Sequence, residues 1–325
     1  MSYITDFPTF RPTSFPGCVL WLRADTGVTY VMSAVVATGT SPPAVTLTGA
    51  PNTTVINTNP ATPAIEIDIT TGGIGSAALF TWKLNGVTQQ TGQSATSTFI
   101  LGTTGLTVNF PNSTYTDDNV YTSSTNASAW KDLSGFGNHA TQATNANQPI
   151  YTIQTHGNGY PSLNVASPQF MTIPNAASLQ IMGPITVVGV LRSTNISAYN
   201  TVISKGVGGE FDLFFQTGEN NAARSSVYQM RVNSSPTVNV THSLVWTTDQ
   251  SSFQQAYVDG VSQTLSVNLF GAGTTSTHPV YIGQRSDAVT QLVGEMFEFM
   301  IYNQFLNSTQ LTQLHTYQKL FWNIT

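Results

Sequence analysis

Glu66 and Asp68 are the first residues to test for chemistry. They alternate in the run Ile65-Glu66-Ile67-Asp68-Ile69, so on a strand both carboxylates face the same side. Glycoside hydrolysis uses two such groups, one protonating the leaving oxygen and one acting as nucleophile or base. The next position on that face is Thr70, which leaves no further carboxylate for the acid's role. The pair therefore reads as the wet face of a half-buried strand. Glu295 and Glu298 are a second pair, and three positions apart on a strand they are expected on opposite faces, unable to flank one bond. Arg285 is the expected partner of Glu295. His139, His156, His242, His278 and His315 show no metal spacing such as H-x-x-x-H, and no serine stands in a nucleophile elbow. An enzyme is not expected, and no catalytic residue or cofactor is assigned.

Two loops carry oxygen ligands of the kind calcium takes: Asp132, Ser134 and Asn138, and Asp117, Asp118 and Asn119. Each group is equally what a tight turn requires with no ion present, so no metal is assigned. Candidates for sugar contact are Tyr199, Tyr228, Phe270 and the polar run Glu219-Asn220-Asn221, since aromatic platforms and uncharged hydrogen-bonding groups suit saccharides. None is diagnostic, and the ligand-binding residues stay open.

Composition narrows the partners. Only 8% of the 325 residues are charged, with 10 Lys+Arg, 15 Asp+Glu and a net charge of -5. Without a basic stripe to displace counterions, nucleic acid is excluded as a partner. Cys18 is the single cysteine, so neither an intrachain disulfide nor a thiolate metal cluster can form. No basic start followed by an apolar run opens the chain, and no stretch reaches transmembrane length. A protein made in a cytoplasm, with no membrane partner, is the expectation. The Asn-x-Ser/Thr triplets at Asn52, Asn112, Asn126, Asn195 and Asn233 arise by chance in a chain this rich in those residues.

The elements that must position these groups are almost all strands. Residues 1–16 interleave Pro8, Pro12 and Pro16 with Tyr3, Phe7, Phe10 and Phe15, which predicts an extended arm laid on its own domain or on a neighbour. Gly17 to Arg23 is the first strand, closed by a turn at Asp25-Thr26-Gly27. Residues 31–121 carry short β-rich runs, among them Phe80 to Leu84 ending at the hairpin signal Asn85-Gly86, and suggest a small immunoglobulin-like sandwich. Asp259-Gly260 marks another hairpin. Near the end, Asn307 with Gln310 forms a capping box, and Leu311, Leu314, Tyr317 and Phe321 recur at helical spacing.

Trp130 to Gln142 reads W-K-D-L-S-G-F-G-N-H-A-T-Q, a tight corner expected to join Trp130 to the alternating stretch from Gln148 to Leu163. This run resembles the signature of laminin-G-like, concanavalin-A-like sandwich domains found in many bacterial and phage proteins. In that family the strand resembling L-W-L-R-A-D-x-G-V runs almost directly into the corner, whereas here the two stand at 20–28 and 130–138. Further matches are Asn158-Gly159-Tyr160-Pro161-Ser162-Leu163, Pro184 to Val190, and the closing strand from Gly294 to Tyr302. The resemblance covers about two hundred residues. It implies an all-β fold: a concanavalin-A-like jelly-roll sandwich over 17–30 and 122–325, interrupted by the immunoglobulin-like module at 31–121, with one C-terminal helix. The hinge strands should meet near Tyr30 and Ser124. Some glycoside hydrolases of that fold carry Glu, Asp and Glu on alternate positions, and Thr70 breaks that pattern here.

The segment 31–121 also resembles small β modules of phage virion proteins. The resemblance implies a non-enzymatic virion protein of a tailed phage, a capsid decoration, fibre or tail-associated subunit. Its expected partners are other virion proteins, further copies of itself and a host-surface glycan. The alternative is a secreted or surface bacterial carbohydrate-binding adhesin, and a glycoside hydrolase comes third.

Overall fold

The computed structural model describes residues 10–52, 56, 63–152, 159–196, 200–206, 211–216, 219–224, 229–232, 236–270, 276–287 and 290–324. Contacts divide the chain into two compact units: residues 1–29, 129–143 and 162–325, and residues 30–128 with 144–161.

The first unit is built from antiparallel ladders. Gly294–Tyr302 is its central strand, pairing on one side with Ile185–Ser193 and on the other with Cys18–Arg23 and then Ser162–Val165. Ile185–Ser193 continues to Thr241–Thr248, and that strand to Gln254–Val258. A second series runs from Ala140–Thr141 through Met171–Ile173, Val280–Ile282, Asn200–Lys205 and Phe211–Gln216, then through Glu219–Arg224 and Gln229–Val232 to Leu265–Asn268. All nine residues of Gly294–Tyr302 are buried. A strand buried along its whole length must be covered on both faces. Phe299 on one face meets Trp130 edge-on at 6.0 Å, and Glu298 on the other receives hydrogen bonds from the C-terminal helix.

That helix, Ser308–Trp322, starts as the sequence predicts. Asn307 Oδ1 accepts the Gln310 N–H and Gln310 Oε1 accepts the Asn307 N–H, both at 3.0 Å. Leu311, Leu314, Tyr317 and Phe321 line its buried face, and Asn323 ends it in the left-handed region. The Asp259-Gly260 hairpin also forms, with φ of 52° and 80° and Val258 opposite Val261.

The corner differs from expectation in the strand it joins. It connects Thr125–Trp130 to Ala140–Thr141, with Trp130 opposite Ala140. Of the stretch expected there, Ile150–Thr152 does pair with Thr125–Trp130, Ile150 opposite Asn126, whereas Ser162–Val165 is a separate strand on Gly294–Tyr302. Asp132 fixes the corner: Oδ1 accepts the N–H groups of Trp21 and Ser134 at 2.9 Å, and Oδ2 accepts the Ser134 hydroxyl and the Asn138 N–H. Asn138 Nδ2 donates to the Val19 carbonyl at 2.7 Å. The corner is thereby bonded directly to the first strand.

Of the N-terminal arm, residues 1–9 lie outside the described residues. The rest is not extended throughout: Pro12–Ser14 forms a turn of 3-10 helix. Phe15 is buried at 7% exposure, and the Tyr302 hydroxyl donates to the Pro12 carbonyl. Residues 10–15 are therefore part of their own unit.

The second unit holds a five-stranded sheet in the order Val36–Thr38, Val120–Ser123, Ile65–Thr71, Leu79–Leu84, Val87–Ser94, and a three-stranded sheet of Thr46–Gly49, Leu106–Asn109 and Thr98–Ile100. Ile65, Ile67 and Ile69 are buried and Glu66 and Asp68 half-buried, the period-two pattern of the sequence. They share one core with Phe80, Trp82, Leu106, Val108 and Phe110. The hairpin at Asn85-Gly86 has φ of 52° and 79°. Within this unit Ser33 and Ser124 meet, the Ser33 N–H donating to the Ser124 carbonyl at 2.7 Å.

Candidate functional site

The carboxylates that could do acid–base work are mostly engaged. Glu66 Oε1 lies 2.5 Å from Lys83 Nζ, its direct cross-strand neighbour, with Asp68 further along the same face. Each oxygen of Asp132 already takes two donors, which uses the lone pairs a cation would need. At the other loop, Asp118 Oδ2 accepts the N–H and hydroxyl of Thr40, and Oδ1 accepts from Thr116 and Asn119. Those bonds, the Thr116 hydroxyl first, hold its carboxyl below the usual range. Asp117 is exposed beside it. Among the described residues, no three His, Cys, Asp or Glu side chains cluster as a metal site.

The second carboxylate pair departs from the sequence expectation. Glu295 stands opposite Arg192, Met296 opposite Leu191 and Glu298 opposite Val190, so Phe297 is an extra residue, a β-bulge. The bulge shifts the alternation by one, and Glu295 and Glu298 share a face. They still cannot flank a substrate bond, because Glu295 is 3% and Glu298 0% exposed. The Arg192 guanidinium lies 3.6 Å from Glu295, and Arg285 pairs with Asp287.

Glu298 instead anchors the helix. Its Oε1 accepts the Trp21 indole N–H and the Tyr317 hydroxyl, and its Oε2 the Trp322 indole N–H, each at 2.8 Å. Arg23 is its direct cross-strand neighbour, with the guanidinium over the rings of Phe321 and Trp21 at 4.5 and 5.4 Å. Burial pushes the Glu298 carboxyl up to about 7, against the downward pull of the three donors and of Arg23. Burial, followed by the neighbouring Glu298 charge, holds the Tyr317 phenol well above its usual range.

The histidines are dispersed. His139 Nδ1 accepts the Asp132 N–H within the corner, and His242 Nδ1 lies 2.6 Å from Asp259 while its Nε2 meets the Thr237 carbonyl. His278 is exposed, and His156 lies outside the described residues. His315 is buried on the helix beside Tyr257, its ring nitrogens without partners, and burial drives its imidazole down to about 4.

Tyr317, held by Glu298, also forms one wall of a groove of about 500 Å³ lined by Phe10, Ser14, Phe15, Thr312, Gln313, Thr316 and Tyr317. Phe10 packs on Phe15 at 4.9 Å and on Tyr317 at 5.5 Å between ring centroids. Thr312 and Thr316 donate their hydroxyls to the carbonyls four residues back, which leaves their oxygens as acceptors. The lining is aromatic rings, hydroxyls and an amide, with no charged side chain. Such a surface can hold a neutral ligand with one apolar face and one hydrogen-bonding edge. It offers no general acid or base.

Of the aromatic candidates, Tyr199 and Tyr228 lie outside the described residues, and Glu219, Asn220 and Asn221 fall on the Glu219–Arg224 strand. Phe270 is 36% exposed and lies elsewhere than the groove. Sequence reasoning missed both the groove and the Glu298 anchor. A signal was present in the aromatic set with polar tips on the helix, Tyr317 and Trp322, opposite a strand carrying Trp21 and Arg23.

Residues 166–312 match Laminin_G_3, described as the concanavalin A-like lectin/glucanases superfamily. No curated protein matches the chain in sequence. Among solved structures, the chain is similar to Trypanosoma rangeli sialidase in complex with 2,3-difluorosialic acid, at 16% identity and TM-score 0.45, over 60% of this chain and 31% of that one. It is similar to botulinum neurotoxin type C, in a structure titled for cell entry dependent on two ganglioside molecules, at 9% identity and TM-score 0.44, over 58% and 48%. The binding domain of Paraclostridial Mosquitocidal Protein 1 follows at 15% identity and TM-score 0.43, over 58% and 49%. The matched part of the chain thus spans half or less of these structures' length. The chain carries an all-β, concanavalin-A-like sandwich with one C-terminal helix, as its sequence predicts.

Proposed function

We propose that the protein is a non-catalytic, lectin-like subunit of a tailed-phage virion, a decoration, fibre or tail-associated protein that docks on other virion proteins and on copies of itself. In this reading the groove between residues 10–15 and the C-terminal helix takes a neutral glycan of the host surface. The observation that carries the binding role is the groove's lining: mutually tilted aromatic rings beside hydroxyls and an amide, free of charge. The non-catalytic part is supported by the burial of Glu295 and Glu298 and by the pairing of Glu66 with Lys83. The virion role rests on the resemblance of segment 31–121 to phage β modules, and we read its two sheets around one core as immunoglobulin-like.

Binding of the intact chain to a panel of neutral oligosaccharides tests the glycan role. The expected result is retention of at least one sugar and its loss on Gln313→Ala, since Gln313 is exposed and its removal leaves the fold alone. Retention unchanged by Gln313→Ala would refute the groove. Hydrolysis of any panel member that disappears on Glu66→Gln would refute the non-catalytic reading. Co-sedimentation of the chain with assembled particles tests the virion role, whereas a chain displayed on a bacterial surface and absent from particles would replace that role with an adhesin.

A further inference from the structure

Ser243 and Gln318 meet inside the first unit with little freedom to move apart. The Ser243 hydroxyl, on strand Thr241–Thr248, donates to Gln318 Oε1 on the C-terminal helix at 2.6 Å, and the two residues are 1% and 0% exposed. Both ends of the contact are pinned. Asp259 Oδ1 accepts the Ser243 N–H at 2.8 Å, and the Asp259 N–H donates to the Ser243 carbonyl at 2.9 Å. On the helix, Tyr317 and Trp322, before and after Gln318, are both bonded to Glu298.

The Gln318 amide is only half used. Its Nε2 is buried with no acceptor, which native structures seldom allow. His315, three residues earlier and so on the same helix face, has both ring nitrogens buried without partners. Its ring is held against Tyr257 at 5.4 Å between centroids and against Gly260, where a Cβ would stand 3.3 Å from it. Those two residues flank Asp259, the residue that fixes Ser243. A hydroxyl, an amide carbon and an imidazole with an unused lone pair therefore lie together between helix and sheet, in a layer that excludes water. The hydroxyl is also close to the carbon: a 2.6 Å contact to the amide oxygen, with a C=O bond of about 1.2 Å, sets Oγ within about 3.8 Å of it. Near-attack conformers need about 3–3.5 Å, so a small turn of the hydroxyl onto the face of the amide suffices.

We propose that Ser243 and Gln318 join in an ester that welds the C-terminal helix to the sheet. The Ser243 oxygen bonds to the Gln318 side-chain carbon and the carbon–nitrogen bond breaks. His315 takes the hydroxyl proton and passes it to the departing nitrogen, which leaves as ammonia. Nothing is oxidised or reduced, and one ammonia is the only product released. Its escape into solvent draws the exchange forward, and the partnerless Nε2 goes with it. The reaction happens once, on the chain's own side chains, and stands whether or not the groove takes a glycan. Its consequence is a covalent loop from residue 243 to residue 318, so the helix that forms one wall of the groove stays attached even when the unit opens.

Mass spectrometry of the intact chain under denaturing conditions, after incubation at neutral pH, tests the proposal. The expected result is a chain lighter by one ammonia, with a proteolytic pair of peptides linked between residues 243 and 318 that mild alkali separates. Ser243→Ala should keep its full mass, and His315→Phe should lose ammonia about a hundredfold more slowly or worse. A parent chain of full mass would overturn the proposal, and this reading depends on no variant folding. Ammonia loss that persists in Ser243→Ala would overturn it too, since cyclisation at Asn85-Gly86 releases the same molecule. His315→Phe maturing at the parent's rate would overturn the role given to His315.

Discussion

Asp132 Oδ1 accepts the main-chain N–H of Trp21 across 111 positions of sequence, at 2.9 Å. The same corner takes the Leu133 N–H to the Trp21 carbonyl and the Lys131 N–H to the Gly27 carbonyl. Strand Cys18–Arg23 and the corner after Trp130 are therefore one hydrogen-bonded piece of the first unit, although residues 30–128 form another unit between them.

Replacing that carboxylate tests how much the join contributes. In Asp132→Asn an NH₂ group takes the place of one oxygen and faces donors, the Ser134 hydroxyl and Asn138 N–H or those of Trp21 and Ser134. A buried donor left without an acceptor costs about 1–3 kcal/mol, so the variant should lose about 2 kcal/mol in chemical denaturation. Phe136→Ala, at the 57% exposed tip of the same loop, should change stability by less than ~0.5 kcal/mol.

Glu298→Gln removes a buried charge but should not stabilise the protein. The amide can keep its oxygen toward Trp21 and Tyr317, and its NH₂ then faces the Trp322 indole N–H, donor against donor. We expect a loss of about 1–3 kcal/mol. Adding Trp322→Phe should recover part of it, because the phenyl ring presents no donor. A double-mutant cycle in urea reads this coupling directly.

Glu298 and His315 make stability depend on pH in opposite directions. The Glu298 carboxyl is raised from 4.5 to about 7, so between those values the folded state holds a proton that the unfolded state has released, and stability falls as pH rises. The His315 imidazole is lowered from 6.5 to about 4, so there the unfolded state holds the extra proton and stability rises with pH. At about 1.4 kcal/mol per unit each is worth roughly 3 kcal/mol, and they nearly cancel between pH 4.5 and 6.5. His315→Leu should uncover a falling profile and Glu298→Gln a rising one, in denaturation curves taken at half-unit steps. Parallel profiles in the two variants would contradict the assignment.

What could be read in advance was whatever had a local signal. The capping box at Asn307 and Gln310, the Asn85-Gly86 and Asp259-Gly260 hairpins and the alternation at Ile65 to Ile69 each depend on residues within a few positions. The Glu298 anchor does not: its donors stand 277, 19 and 24 positions away, and no pattern near Glu298 points to them. Nor does the bulge at Phe297, since nothing in G-E-M-F-E-F-M marks the extra residue that puts Glu295 and Glu298 on one face. The corner was legible as a turn, but its second strand was misplaced, because Ala140–Thr141 is only two residues long and carries no alternation to recognise.

Phe15 links the N-terminal segment to both the groove and the core. It packs on Phe10 at 4.9 Å and on Tyr302 at 6.3 Å between ring centroids, and it is buried although the residues around it read as a tail. Phe15→Ala removes a large buried ring at the edge of a groove that can partly collapse, so we expect the low end of the usual range, about 3 kcal/mol. Phe10 loses one of its two ring contacts in the same step and keeps the one to Tyr317, and Tyr317 keeps its hydrogen bond to Glu298, so the damage should stay on the groove side of the helix. Thermal unfolding reads the stability loss, and Tyr317 ring resonances in NMR read where it falls. A loss below ~1 kcal/mol with the Tyr317 resonances unmoved would mean that residues 10–15 rest on the unit without supporting it, and the groove would then have only one fixed wall.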